Sequence, residues 1–195
     1  SVAPQIREYP RASTTAINAY AAPITEPYLR ALAIRLAKER IPNKPLIMLS
    51  SGGIIGADVA GRNPVRMIES GPAAGALAAT YYAERLGFDR LLSFDMGGTT
   101  AKACLIEDRK PLVASAFEVD RIYRFREGSG MPLTIPSIDM IEIGAGGGSI
   151  ASMDNLGLLK VGPRSAGSEP GPACYGRGGT EPTVTDADLA LGLLD

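Results

Sequence analysis

The 195-residue chain contains no histidine. That excludes a Ser-His-Asp or Cys-His catalytic pair, an H-E-x-x-H zinc site and the zinc-deaminase signature, and leaves proton transfer to carboxylates, lysine or tyrosine. Cysteine is nearly as scarce. Cys104 and Cys174 stand far apart, so no C-x-x-C pair exists for zinc or an iron–sulfur cluster. A reduced, cytoplasmic setting is expected, with a single disulfide as the alternative. Long apolar runs are missing too. The longest charge-free stretches, Ala12 to Thr25 and Ser70 to Ala83, hold 14 residues each, short of the roughly 20 that cross a bilayer. Ser1 to Arg11 carries proline and charges where a signal peptide has an apolar run. Neither charge sign dominates: 20 Lys and Arg against 21 Asp and Glu give −1, so no basic face is implied and neither nucleic acid nor membrane is an expected partner.

Glycine, by contrast, is abundant. The 23 glycines are about 12% of the chain, against roughly 7% in average proteins, and they cluster where elements end. Ile24 to Arg40 reads as an amphipathic helix capped by Thr25, with Leu29, Leu32, Ala33, Leu36 and Ala37 on its apolar face. Leu46 to Ser50 suits a buried strand. Gly71 to Leu86 reads as a second helix, capped by Ser70 and closed by Gly87, its small residues allowing close packing on a sheet. Leu91–Asp95, Ala101–Ile106 and Pro111–Phe117 form a candidate three-stranded antiparallel meander. Phe117 to Phe125 alternates as a strand, and Ile138 to Ile143 is another. Ser149–Met153 and Leu158–Val161 read as a hairpin around Asp154 to Gly157. The Gly/Pro-rich stretch 162–182 lacks periodicity, as a functional or disordered loop does. Thr185 is expected to cap a last helix, Asp186 to Leu194. Both ends of the chain lack a closing element, so the sequence reads as a piece of a larger protein.

The run Phe94 to Lys102 (FDMGGTTAK) is the strongest chemical constellation. A strand ends in Asp95, turns through Gly97 and Gly98, and continues past Thr99 and Thr100. A hairpin this tight asks for residues tolerant of positive φ, and its amides then converge on one concavity suited to phosphate oxygens. Asp95 is a candidate Mg²⁺ ligand through water, since that ion keeps its waters. Lys102 is read either as a phosphate contact or as a solvated strand residue. No G-x-x-x-x-G-K-[ST] loop occurs. The run Ile143 to Ser149 (IGAGGGS) misses the dinucleotide fingerprint because Ser149 occupies the last glycine position. Gly144, Gly146 and Gly147 therefore stand as ligand contacts or as a tight backbone crossing. The start of the Ser70 to Gly75 helix suits an anion or simply close packing. Glu69 and Glu142, beside glycine turns, are weaker acid candidates. Arg164, Glu169, Cys174 and Tyr175 lie in the 162–182 loop, where substrate or subunit contacts are often carried. Cys174 has no histidine to activate it. Asp186 and Asp188 read as first-turn helix acids.

These runs, with RMIESGPAAG (Arg66 to Gly75), VGPRSAGSEPGPACYG (Val161 to Gly176) and PTVTDAD (Pro182 to Asp188), resemble the hydantoinase/oxoprolinase family. That family takes in ATP-dependent hydantoinases, 5-oxoprolinase and an acetone carboxylase subunit. The resemblance implies an α/β fold of the actin-like ATPase (ribonuclease H-like) class, whose two lobes close on a nucleotide. Residues 1–195 then form one such lobe, a mixed sheet with the antiparallel meander flanked by helices. The missing N-terminal lobe carries an earlier loop of the form D-x-G-G-T-x-T-D. Lys102 departs from the second acid many such loops place there. The implied cofactors are ATP and Mg²⁺, and the implied partners are a cyclic amide substrate, the other lobe and a second subunit. The implied activity is hydrolysis of a cyclic amide, hydantoin or 5-oxoproline, after phosphoryl activation of its carbonyl oxygen, with the isolated lobe inactive. The alternatives are an ATP-dependent ketone carboxylase subunit, a non-catalytic subunit-binding scaffold, and a sugar- or acyl-kinase relative.

Overall fold

Between Glu8 and Lys38 the sequence is alanine-rich and free of glycine, and in the computed structural model it makes one 31-residue helix, α1. The structure describes residues 2–119, 122 and 128–195. Helix α1 begins sixteen residues before the expected Ile24 start and runs through Pro23 and Pro27. Those prolines donate no amide bond to the carbonyls four residues earlier, Ala19 and Pro23, but both acceptors belong to exposed residues that water can serve. Thr25 is consequently not a cap. Its hydroxyl lies inside the helix and donates to the Ala21 carbonyl at 2.9 Å.

The chain divides into two compact units, Ser1–Leu91 with Ile106–Asp139, and Leu92–Leu105 with Met140–Asp195. In the first, α1 is followed by an antiparallel hairpin, β1 (Leu46–Met48) and β2 (Ile54–Gly56), then by α2 (Ala57–Arg62) and a 3-10 turn at Pro64–Met67. Strand β1 is thus a hairpin arm, with Leu46 65% exposed, and not the buried strand expected. Helix α3 (Ser70–Leu86) buries Ala73, Ala76 and Ala83 completely. Its N-cap is Glu69, in the left-handed region, and Ser70 is already helical. Gly87 closes it with φ 75°, where a side chain would be strained.

Strand β3 (Arg90–Met96) leads to β4 (Ala101–Glu107), and a turn with Asp108 and Arg109 at positive φ leads to the short β5 (Lys110–Pro111). These three make the meander. Its third arm is only two residues long, because the chain then leaves the sheet: β6 (Val113–Ala114) pairs with β9 (Ser137–Ile138), and β7 (Phe117–Val119) pairs with β8 (Met131–Leu133). The expected strand from Phe117 to Phe125 is thus seen as β7, and its continuation lies outside the described residues. The expected Ile138–Ile143 strand is two pieces, β9 and β10 (Ile141–Ile143). β10 lies antiparallel on β4, giving the sheet order β10-β4-β3, with β5 also on β4. The core of the first unit is Val65, Leu133 and Ile135, with Ile17, Ile68, Phe117 and Val119 packed on it. Thr14 links α1 to this core: its hydroxyl donates to the Pro10 carbonyl and accepts from the Thr134 amide at 2.9 Å.

The second unit adds the hairpin β11 (Ser149–Met153) and β12 (Leu159–Ser165), turning at Asp154 to Gly157 as the sequence implied. The stretch 162–182 therefore begins as strand, and it contains a 3-10 turn at Ala173–Tyr175. The last helix, α4 (Val184–Ala190), is capped by Thr183, two residues before the expected cap. Among the described residues no helix is long and apolar enough to cross a membrane, and no disulfide joins Cys104 and Cys174.

Leu133→Ala, at a fully buried position, is expected to cost about 2–5 kcal/mol of stability. Leu156→Ala, at a position 84% exposed, is expected to change it by less than about 0.5 kcal/mol. Urea melts of the two variants check the contrast.

Candidate phosphate-binding site

Strands β3 and β4 are neighbours joined by four residues, a connection open only to an antiparallel pair. Gly97 donates its amide to the Thr100 carbonyl at 2.9 Å and closes the turn. Neither Gly97 nor Gly98 adopts positive φ, which corrects the conformational reason expected for them. A side chain at Gly98 would meet nothing within 4 Å. What the glycines provide here is bare backbone, and close approach to backbone is their other use. Asp95, Gly97, Gly98 and Thr99 are exposed, and Thr100 is half-buried. The Gly98 and Thr99 amides donate to no acceptor, and the Asp95 carboxylate has no hydrogen-bond or ion-pair partner, among the described residues. Five features of the expected loop, the acid and the four turn residues, thus stand together on one open edge.

Behind the turn lies the second glycine run. Gly147 donates to the Gly97 carbonyl at 2.9 Å and Gly148 to the Gly98 carbonyl at 2.8 Å. A side chain at Gly146 would sit 2.5 Å from the Gly97 carbonyl oxygen and 2.6 Å from the Thr99 nitrogen, so no residue with a Cβ fits without displacing the hairpin. The backbone crossing is therefore what Gly146 and Gly147 make with the hairpin. Gly144 follows β10, one residue beyond the Ile143–Ala101 pair at the foot of the hairpin, its carbonyl oxygen 3.2 Å from where a Gly162 side chain would begin. Lys102 faces Glu142 across β4 and β10, its ammonium 3.7 Å from the carboxylate and its side chain only 12% exposed. That gives Lys102 a protein partner and Glu142 a cross-strand role. Among the described residues no group of three or more His, Cys, Asp or Glu could hold a metal ion.

At the start of α4 the expected cap, Thr185, makes a different contact, with the second glycine run. Thr183 and Asp186 form a reciprocal capping box. Thr185, inside the first turn, donates both its amide (2.8 Å) and its hydroxyl (2.9 Å) to the Gly147 carbonyl. Asp186 also accepts from the Ala173 amide at 3.2 Å and the Cys174 amide at 2.7 Å, tying the 162–182 loop to α4. Burial alone would raise the Asp186 carboxyl, but the bonds from the Cys174 amide and thiol and from Thr183 outweigh it and hold it well below the ordinary carboxylate range. Its stabilisation is present above the unfolded carboxylate pKa and is lost as pH falls through the folded one. The thiol's bond to Asp186, then burial and the carboxylate charge, push the Cys174 pKa up, which keeps the thiol protonated and a poor nucleophile. Arg164 pairs with Glu181 at 2.7 Å and Arg177 lies over the Tyr175 ring, so the loop is ordered by its own contacts.

This architecture is the α/β actin-like ATPase class. The chain belongs to the hydantoinase/oxoprolinase family, whose model matches residues 11–195. An uncharacterized protein of Methanocaldococcus jannaschii is 47% identical over 98% of this chain and 28% of its own length. Caprolactamase subunit alpha of Pseudomonas jessenii is 42% identical over 99% of this chain and 26% of its own, and the crystal structure of that organism's ATP-dependent caprolactamase aligns with a TM-score of 0.69. The nucleotide-free structure of acetone carboxylase, from work on ATP-dependent acetone carboxylation, aligns with a TM-score of 0.76 at 27% identity, over 98% of this chain and 26% of that one. The chain thus spans about a quarter of the length of the curated relatives it matches most closely among these.

Gly146→Ala is expected to cost about 1–3 kcal/mol and to move the Gly97 and Thr99 amide resonances in ¹⁵N–¹H spectra. The rate of Cys174 alkylation by iodoacetamide, followed against pH, should rise with a midpoint above that of an ordinary thiol. In Asp186→Asn the midpoint should fall, because the carboxylate charge is gone.

Proposed function

We propose that these residues are the nucleotide-binding lobe of a longer ATP-dependent enzyme that hydrolyses a cyclic amide. The observation that carries the reading is the exposed Gly97–Thr100 turn, with free amides at Gly98 and Thr99, an unpaired acid at Asp95, and a brace that fixes the backbone from behind. Preset N–H donors hold phosphate oxygens without reorganising on binding. Thr99 and Thr100 add hydroxyl donors from the same turn. Asp95, a single carboxylate, fits Mg²⁺ that retains most of its waters. Lys102, paired with Glu142, lends positive charge from the adjoining strand, and Gly144, Gly146 and Gly147 form the wall behind the phosphates. Bound ATP supplies the phosphoryl group that activates the carbonyl oxygen of the amide. In a chain without histidine, positioning and fixed dipoles carry the catalysis.

The greater identity to the caprolactamase than to the acetone carboxylase supports an amide over a ketone as substrate. A second subunit is proposed because the caprolactamase relative is itself named a subunit. ATP as co-substrate and two cysteines not joined by a disulfide support a cytoplasmic location. With one nucleotide loop present, these 195 residues are expected to bind nucleotide without turning it over. Titration of the chain with magnesium–AMP-PNP should shift the Gly97, Gly98 and Thr99 amides. Asp95→Ala should weaken the magnesium complex about tenfold, equivalent to about 1.4 kcal/mol, and should weaken metal-free nucleotide less. Unchanged affinity for the magnesium complex would reject the loop assignment and favour a subunit-binding scaffold.

A further inference from the structure

Resting on the nucleotide-loop reading, we infer that Thr185 is a positioning residue for the phosphate hairpin, acting through Gly147. The contacts form one unbroken series within the second unit. Thr185 places two donors on the Gly147 carbonyl, from its amide at 2.8 Å and its hydroxyl at 2.9 Å. Gly147 and Gly148 then donate to the carbonyls of Gly97 and Gly98, the residues that make the turn. The fit is steric as well as polar: a side chain at Gly147 would begin 2.7 Å from the Thr185 hydroxyl oxygen, so the threonine fills the space against the glycine backbone. Gly146 closes on the same hairpin from beside it, leaving the turn no room to move inward.

Thr185 does not touch the open side of the turn. It acts by fixing the peptide whose amide fixes the hairpin. Directly beside it, Asp186 grips the amides of Ala173 and Cys174, and Thr183 is held between β11 and that acid. Two adjacent side chains of one helical turn thus hold two loops. The turn that meets phosphate and the 162–182 loop share a single anchor, and the position of one is coupled to the other through the α4 start.

The test compares Thr185→Val, which deletes the hydroxyl and keeps the amide, with Thr185→Ser, which keeps both. Without nucleotide, Thr185→Val should speed hydrogen exchange at the Gly147 and Gly148 amides about five- to tenfold and shift the Gly97 and Gly98 resonances, and Thr185→Ser should restore both. Exchange and resonances unmoved by Thr185→Val would overturn the inference. Should that variant fail to fold, the unaltered chain decides: because coupling is reciprocal, saturating magnesium–AMP-PNP should slow exchange at the Thr185 amide severalfold. Shifts at Gly98 with no change at Thr185 would overturn the coupling. Absence of any shift at Gly98 defeats the nucleotide reading alone, and the exchange comparison between the two variants still judges the anchor.

Discussion

The second unit depends on main chain lying directly on main chain, where the run from Gly146 to Gly148 crosses the turn at Gly97 and Gly98. Most sheets are held by side chains interleaving on a face. Here the contact is too close for any Cβ at Gly146, and its cohesion comes from amide-to-carbonyl bonds at 2.8 and 2.9 Å. Such bonds are directional, and in a partly dry setting each orients the next peptide. The result is a turn whose Gly97 and Gly98 carbonyls are committed to Gly147 and Gly148, while the Gly98 and Thr99 amides have no acceptor among the described residues. A phosphate loop needs donors left free beside acceptors already occupied, and under the proposed function the crossing occupies those acceptors.

The small side-chain core of this unit follows from the same constraint. Ala101, Cys104, Ile150 and Pro172 are among its buried apolar residues, and buried Ser149 and Thr183 join them through hydrogen bonds. The first unit is built differently, from Val65, Leu133 and Ile135 with alanines of α3 packed flat. One unit is cohesive by volume and the other by bonding geometry, so substitutions act on them by different routes: cavities in one, lost or blocked donors in the other.

Much of this was legible in the residues. The acid, two glycines and two threonines between strands announced a tight turn, which β3 and β4 make, and the family resemblance carried by the motifs agrees with the comparisons. Gly87 as a helix stop and the hairpin at Asp154 followed from local rules of backbone conformation. The failures share a cause. Thr25 with Pro27 after it read as a helix start because local rules assign prolines to first turns, but a long alanine-rich helix tolerates both Pro23 and Pro27 where the orphaned carbonyls reach water. Thr185 looked like a cap because it precedes two acids, while the spacing from Thr183 to Asp186 satisfies the reciprocal motif better. The glycine run was legible as a tight backbone crossing, but which strand it crosses, and the part Thr185 plays there, were not, because the partner of each lies far away in sequence. The meander's third arm shrank because pairing with β9 and β8 competes for the same stretch, a tertiary choice that propensity does not register.

Because atoms common to every amino acid locate the turn, its chemistry and its placement are separable. Thr99 and Thr100 decorate a rim whose coordinates are set elsewhere, so the rim is free to be re-equipped while the frame beneath stays as it is. A protein lineage holding such a frame can change its reaction by exchanging fittings, without redrawing the building.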